Sequence, residues 1–315
     1  MRHIKITRNP LHVLLVLVLV ACGAAAAQTS PASVFDYDAK APLDVQVVST
    51  QKEGTLTLQE ITYASPKGGR VPATLIVPDG KGPFAGILLM HGAPGTRDRM
   101  LPEARELAQR GAVTIAINAP FSRPGRAPED MIRFDERDRD DQIQLIVDLR
   151  RAVDVLLARK DVDPARLAYT GRSYGGAMGG LLAGVEKRIK AYALVVGDGG
   201  LVAHFTGIDD RGRSPLEQMP REERQRWLAA MQPIEPVRFV GKAAPSHLLF
   251  QNGMQDQLVP PVDGRAYQEA GSEPKTLLWY QAGHQLNDEA VRDRHLWFAE
   301  MIGIEKPAPA PQPAQ

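Results

Sequence analysis

Six short apolar runs dominate the middle and end of the chain, and their spacing limits what it can fold into. They are "PFAGILLMHG", "AVTIAINAP", "DPARLAYTG", "IKAYALVVGDGG", "PSHLLFQNG" and "KTLLWYQAGH". The first two are apolar at almost every position, as strands covered on both faces must be. Amphipathic segments lie between the runs. "MLPEARELAQRG" reads as a helix closed by Gly111, and 135–160 carries Ile143, Leu145, Ile146, Leu149, Val153, Leu156 and Leu157 at helical spacing. That long segment is acidic early and basic late, which suits a helix dipole. "YGGAMGGLLAGV" is a helix of small residues, and the last helix spans about 288–302. Strands alternating with helices predict an α/β fold: a mostly parallel central sheet with helices on both faces. Upstream, "EGTLTLQEITYAS" and "GRVPATLIVP" read as two further strands joined by the turn "PKGG".

The remaining segments set the domain plan. "MRHIKITRN" holds Arg2, Lys5 and Arg8 with no acid, and an apolar run too short to span a bilayer follows it. A cluster of small residues completes the pattern of an export signal over 1–27. "LVAC" resembles a bacterial lipobox, in which Cys22 would be diacylated and become the new N-terminus, directed to the outer membrane. The alternative is ordinary cleavage after Ala27. Either route predicts a periplasmic or envelope protein. Cys22 is the only cysteine, so no intramolecular disulfide can form. Residues 28–53 read as a tether, 54–303 as one catalytic domain, and the Pro-rich 304–315 as a disordered tail. The stretch 199–244 is polar, breaks the strand–helix rhythm and reads as an inserted lid with "REERQRWLAAM" as its helix. The loop "FSRPGRAPEDMIRF" is a second candidate for lining a pocket.

Net charge is +1 with both signs mixed throughout, and no basic patch with interleaved aromatics points to nucleic acid. No dinucleotide, Walker or zinc-ligand pattern occurs, so the sequence implies neither an organic cofactor nor a metal.

Gly171-Arg172-Ser173-Tyr174-Gly175 fits G-x-S-x-G between a strand and a helix. That places Ser173 on a sharp corner, with glycines where a Cβ would collide with the returning chain. A serine nucleophile needs a base. Of the five histidines beyond the leader, His247 lies in a strand as a satisfied sheet residue. His204 and His295 are expected to be solvated, and His91 precedes a strand-end glycine. His284 alone follows a strand in a loop, with Gly283 freeing its backbone. Asp256 is favoured as the acid that orients it, Asp198 is its rival, and Asp263 reads as a helix residue. The backbone amides of Ala93, in "HGAPG", and Tyr174 are the expected oxyanion donors. Arg172 has two readings: recognition of an anionic substrate, or a structural or solvated role.

The order Ser173, Asp256, His284 resembles the α/β-hydrolase superfamily across roughly 55–303. It is closest to dienelactone hydrolase-like esterases and the catalytic domains of prolyl oligopeptidase-like peptidases. "GRSYGG" is similar to the peptidase branch, and GxxDxxVP followed by GH recurs in both. The resemblance implies Ser173 as nucleophile, Asp256 as acid and His284 as base. Dienelactone hydrolases carry a cysteine where this chain has Ser173, and the oligopeptidases carry a propeller for which too few residues precede the core here. The expected activity is a serine carboxylesterase acting on small-molecule esters. The alternatives are a peptidase or amidase acting on short peptides, and a non-catalytic envelope lipoprotein.

Overall fold

Nine strands form one sheet in the order β1-β2-β3-β5-β4-β6-β7-β8-β9. The computed structural model describes residues 31–126, 131–206 and 215–308. β1 (Gln46–Glu53), β2 (Leu56–Ala64) and β3 (Arg70–Pro78) form an antiparallel meander, and β3 pairs antiparallel with β5 (Ala112–Ile117). From β5 onward every pair is parallel, through β4 (Phe84–Met90), β6 (Val162–Arg172), β7 (Ala191–Val195), β8 (His247–Gly253) and β9 (Lys275–Tyr280).

The pleat sends alternate residues of β4 to opposite faces, and both are covered. Leu88 and Met90 join the core that includes α2 (Glu136–Leu157) and α3 (Tyr174–Val185). Ile87 and Leu89 join the core beneath α1 (Leu101–Gln109) and α8 (Asp288–Ile302). This double burial explains why the run lacks alternation. α2 is capped by the Asp135 side chain, which accepts from the Arg137 amide. Arg159 and Lys160 fall beyond its end, where Arg159 pairs with Asp161 at 2.6 Å, so the basic finish expected of this helix lies outside it.

Two expectations need correction. The stretch read as a tether contains the edge strand β1 and a fully buried Phe35, which stacks edge-on against Phe239 at 5.7 Å. The lack of alternation is what hid β1: its residues are nearly all exposed, so it carries no apolar face. The tail starts docked, with Ile304 buried and the Glu305 amide donating to the Arg110 carbonyl at 2.9 Å. Residues 309–315, the export signal and Cys22 lie outside the described residues.

The insertion contributes α4 (Leu201–Thr206), α5 (Pro215–Gln218) and α6 (Arg221–Met231), followed by three short 3-10 turns; α7 (Pro261–Ala270) comes after β8. The insertion is fastened to α2. Trp227 of α6 is buried and donates Nε1–H to the Asp138 carboxylate at 2.7 Å, and Gln142 donates to the Ile234 carbonyl at 2.7 Å.

Candidate active site

β6 delivers the chain to Ser173, which adopts φ 54° and ψ −117°, and α3 begins at the next residue. A non-glycine residue rarely holds a positive φ, and the surroundings must enforce it. The Ser173 amide donates to the Val195 carbonyl at 2.8 Å, and its carbonyl accepts from Ala177 at 2.9 Å. A Cβ on Gly171 would lie 2.2 Å from the Gly175 carbonyl oxygen, and one on Gly175 would lie 2.4 Å from the Met90 oxygen. The flanking glycines are therefore required by close approach, as the sequence predicts.

Two buried tyrosines hold the start of α3. Tyr169 donates to the Gly175 carbonyl at 2.7 Å, and Tyr267 donates to the Ala177 carbonyl at 2.8 Å.

His284 lies in the loop after β9, with Nδ1 2.8 Å from Asp256 Oδ2. The other Asp256 oxygen accepts from the Leu258 and Val259 amides, both at 2.9 Å. Burial alone would raise the Asp256 pKa. The hydrogen bond from His284 and the two amides outweigh it and hold the carboxyl below its ordinary value. A carboxylate accepting from Nδ1–H leaves Nε2 of the neutral ring as a base.

Ser173 and His284 form no hydrogen bond in this structure, a looseness common before substrate binds. The two are linked through Arg172, which donates to the His284 carbonyl and, at 2.8 Å, to Gln285 Oε1. Arg172, the residue preceding Ser173, thus ties the histidine loop to the end of β6, which answers the choice between its two readings in favour of the structural one. Gly283, by contrast, has no positive φ, and a Cβ on it would meet only the Gln255 oxygen at an ordinary contact of 3.7 Å. The crowded glycine of this region is Gly253, whose Cβ would meet the Ala282 oxygen at 2.4 Å.

Tyr174 is the first residue of α3, so its amide has no intrahelical acceptor. Ala93 lies in the loop after β4, where a Cβ on neighbouring Gly92 would come 3.2 Å from Ser173 Cβ. That loop is held by His91, which the sequence places only as the residue before a strand-end glycine. Its Nδ1 meets the Gly92 carbonyl at 2.7 Å, and its Nε2 accepts from the Ala119 amide at 3.1 Å. Burial lowers its pKa from 6.5 to about 4, so the ring is neutral and its tautomer is fixed by these partners. Its place at the end of an apolar strand was the available signal.

A cavity of about 140 Å³ opens beside Ser173, Ala93 and Tyr174. Its walls are mainly apolar, with Met131 from the loop after β5 and Leu201 and Phe205 from the insertion. Part of that loop, residues 127–130, lies outside the described residues. Asp198, the rival acid, does not meet His284. It pairs instead with His204, whose Nδ1 is 2.8 Å from Asp198 Oδ2, and both line the cavity. His204 is therefore not simply solvated. His295 is fully buried against α1, and burial lowers its pKa to about 4. Among the described residues no three His, Cys, Asp or Glu side chains gather as a metal site.

A family model described as the prolyl oligopeptidase family matches residues 103–302. An uncharacterized peptidase, YuxL, of Bacillus subtilis (strain 168) is 26% identical over 249 residues, which is 75% of this chain and 37% of that protein. An acetyl xylan esterase from Paenibacillus sp. R4 superposes with a TM-score of 0.67 and 20% identity, covering 82% of this chain and 89% of the other. A puromycin-hydrolyzing peptidase of Mycobacterium tuberculosis superposes with a TM-score of 0.60 and 18% identity, covering 82% of this chain and 49% of the other. At these identities the structural likenesses establish the fold.

Proposed function

For a chain that belongs to the prolyl oligopeptidase family of α/β-hydrolases, we propose a serine carboxylesterase with Ser173, His284 and Asp256 as its triad. The observation that carries this reading is the strained corner at Ser173, with an Asp256-oriented imidazole tied to it through Arg172. His284 Nε2 takes the Ser173 proton as Oγ attacks the ester carbonyl carbon. The amides of Ala93 and Tyr174 receive the developing oxyanion. Collapse expels the alcohol, protonated by His284, and water then releases the acid by the same steps in reverse.

Esters are favoured because the cavity of about 140 Å³ suits a short acyl group, whereas pockets for drug-sized ligands occupy roughly 300–1,000 Å³. The likeness to an acetyl xylan esterase over most of both chains fits this preference. The second reading, a peptidase, is favoured by the relative in Bacillus subtilis. Hydrolysis of p-nitrophenyl acetate and butyrate at rates far above those on chromogenic peptide amides is the expected result; peptide amides turned over as fast as esters would establish the peptidase. Neither activity, with no reaction toward a fluorophosphonate, would leave a binding module.

The leader supports export to the periplasm and anchoring through a diacylated Cys22. A labelled fatty acid should enter the wild-type chain in cells and be lost in Cys22→Ala; an unlabelled wild-type chain would favour plain cleavage.

A further inference from the structure

The esterase chemistry uses His284 and Asp256 and leaves unused a second histidine–aspartate pair, which lines the cavity beside Ser173. Resting on the esterase reading, we propose that Asp198 and His204 select the acyl group by accepting a hydrogen bond from a hydroxyl that it carries. His204 lies in α4 and Asp198 follows β7, so the pair is built from the sheet edge and the insertion together.

Its geometry is fixed at both ends. Asp198 is buried, and its Oδ1 accepts from the Gly200 amide at 3.1 Å while Oδ2 meets His204 Nδ1 at 2.8 Å. The His204 ring stands edge-on to Phe205, with centroids 5.0 Å apart. With Nδ1–H given to the carboxylate, the polar atom the neutral ring still offers is Nε2, an acceptor. Nε2 makes no hydrogen bond among the described residues. The cavity that His204 lines is mostly apolar, with Met131, Met178, Leu201, Phe205 and Val259 in its walls. A group that fits must be apolar over most of its surface and bring one donor for the ring.

The cavity is the acyl side of the reaction. His284 must protonate the departing alcohol, so that alcohol lies against its ring. The cavity is lined by Ser173 and by the proposed oxyanion donors Ala93 and Tyr174, and His284 is not among its lining residues. The acyl chain is therefore the part that enters it.

A neutral hydroxyl suits this environment better than an ammonium. The Asp198 charge is already engaged by two hydrogen bonds. The neighbouring Glu235 adds no second charge at neutral pH, because burial pushes its pKa up to about 8. A cation would surrender its hydration for apolar walls, at far greater cost than a hydroxyl.

The test uses p-nitrophenyl esters that share one skeleton and differ in one substituent. Lactate, alaninate and isobutyrate place a hydroxyl, an ammonium or a methyl on carbon 2. 3-Hydroxybutyrate, 3-aminobutyrate and isovalerate do so on carbon 3. Each kcat/KM ratio is divided by the ratio of the uncatalysed rates in buffer, which removes intrinsic reactivity. Wild-type protein should favour the hydroxyl ester over its methyl partner by about tenfold in at least one series, the discrimination a single buried hydrogen bond gives. His204→Phe, shown to be folded by its thermal melt, should bring that ratio close to one, and His204→Leu serves if the phenylalanine variant does not fold. A ratio near one in both series for the wild type would overturn the proposal, as would an ammonium ester preferred to the hydroxyl ester. So would a preference that survives both substitutions. Ester hydrolysis with no hydroxyl preference defeats this proposal alone; absence of any ester hydrolysis defeats the esterase reading beneath it.

Discussion

Ser173 holds its positive φ at a cost on the order of 1–3 kcal/mol, and the Val195 and Ala177 hydrogen bonds with two crowded glycines keep it there. Other single residues set how the molecule responds to pH. Burial lowers His91 and His295 to about 4. Their unfolded forms bind protons more tightly, so the stability they contribute is complete above about pH 6.5 and is lost as pH falls toward 4. Glu235 acts in the opposite sense. Burial raises it to about 8, so the stability linked to its proton is present at low pH and is lost as pH rises toward 8. Glu235 Oε2 accepts from the Ala203 amide at 3.2 Å, and Oε1 has no partner among the described residues. A glutamine can keep that accepted bond without titrating. Glu235→Gln should therefore melt higher than wild type at pH 8 by the equivalent of about 4 kcal/mol, and show a gain of less than about 1 kcal/mol at pH 5. Parallel melting curves at the two pH values, with no divergence, would refute the buried, neutral carboxyl.

Arg172 stands at the end of β6 and reaches the loop after β9, so it acts at the scale of elements. It crosses between two strands that are not neighbours and bonds the His284 carbonyl and Gln285. Its loss should leave the Asp256–His284 pair made and free the loop that carries it. Arg172→Met is expected to lower kcat about tenfold on p-nitrophenyl butyrate with KM nearly unchanged. A rise in KM with constant kcat would instead make Arg172 a substrate-binding residue. The same scale shows what the sequence could reveal. Central strands such as β4 are legible because burial on both faces demands an unbroken apolar run, and α2 because its apolar stripe repeats at helical spacing. β1 is not legible, since an exposed edge strand needs no apolar pattern and is held by backbone pairing to β2. His284 and Asp256 could be found because chain order and strand-end position identify them. The His204–Asp198 contact could not, because it depends on how the insertion turns back over the end of β7.

Over the whole molecule, the parallel half of the sheet brings Ser173, Asp256 and His284 to one edge, since each follows a parallel strand. The insertion closes one side of that edge and is secured by Trp227 to Asp138 on α2. Its polar composition announced it as an addition to the fold. Its role as cavity wall depends on Leu201, His204 and Phe205, three residues that carry no motif. Whether this edge holds one activated serine decides between the proposed esterase and its alternatives. The most direct measurement is to label the purified protein with a fluorophosphonate and locate the adduct by peptide mass spectrometry. One equivalent of label is expected on Ser173, with ester hydrolysis falling in step as the label accumulates. Full labelling at another serine, or undiminished hydrolysis with Ser173 fully modified, would contradict it.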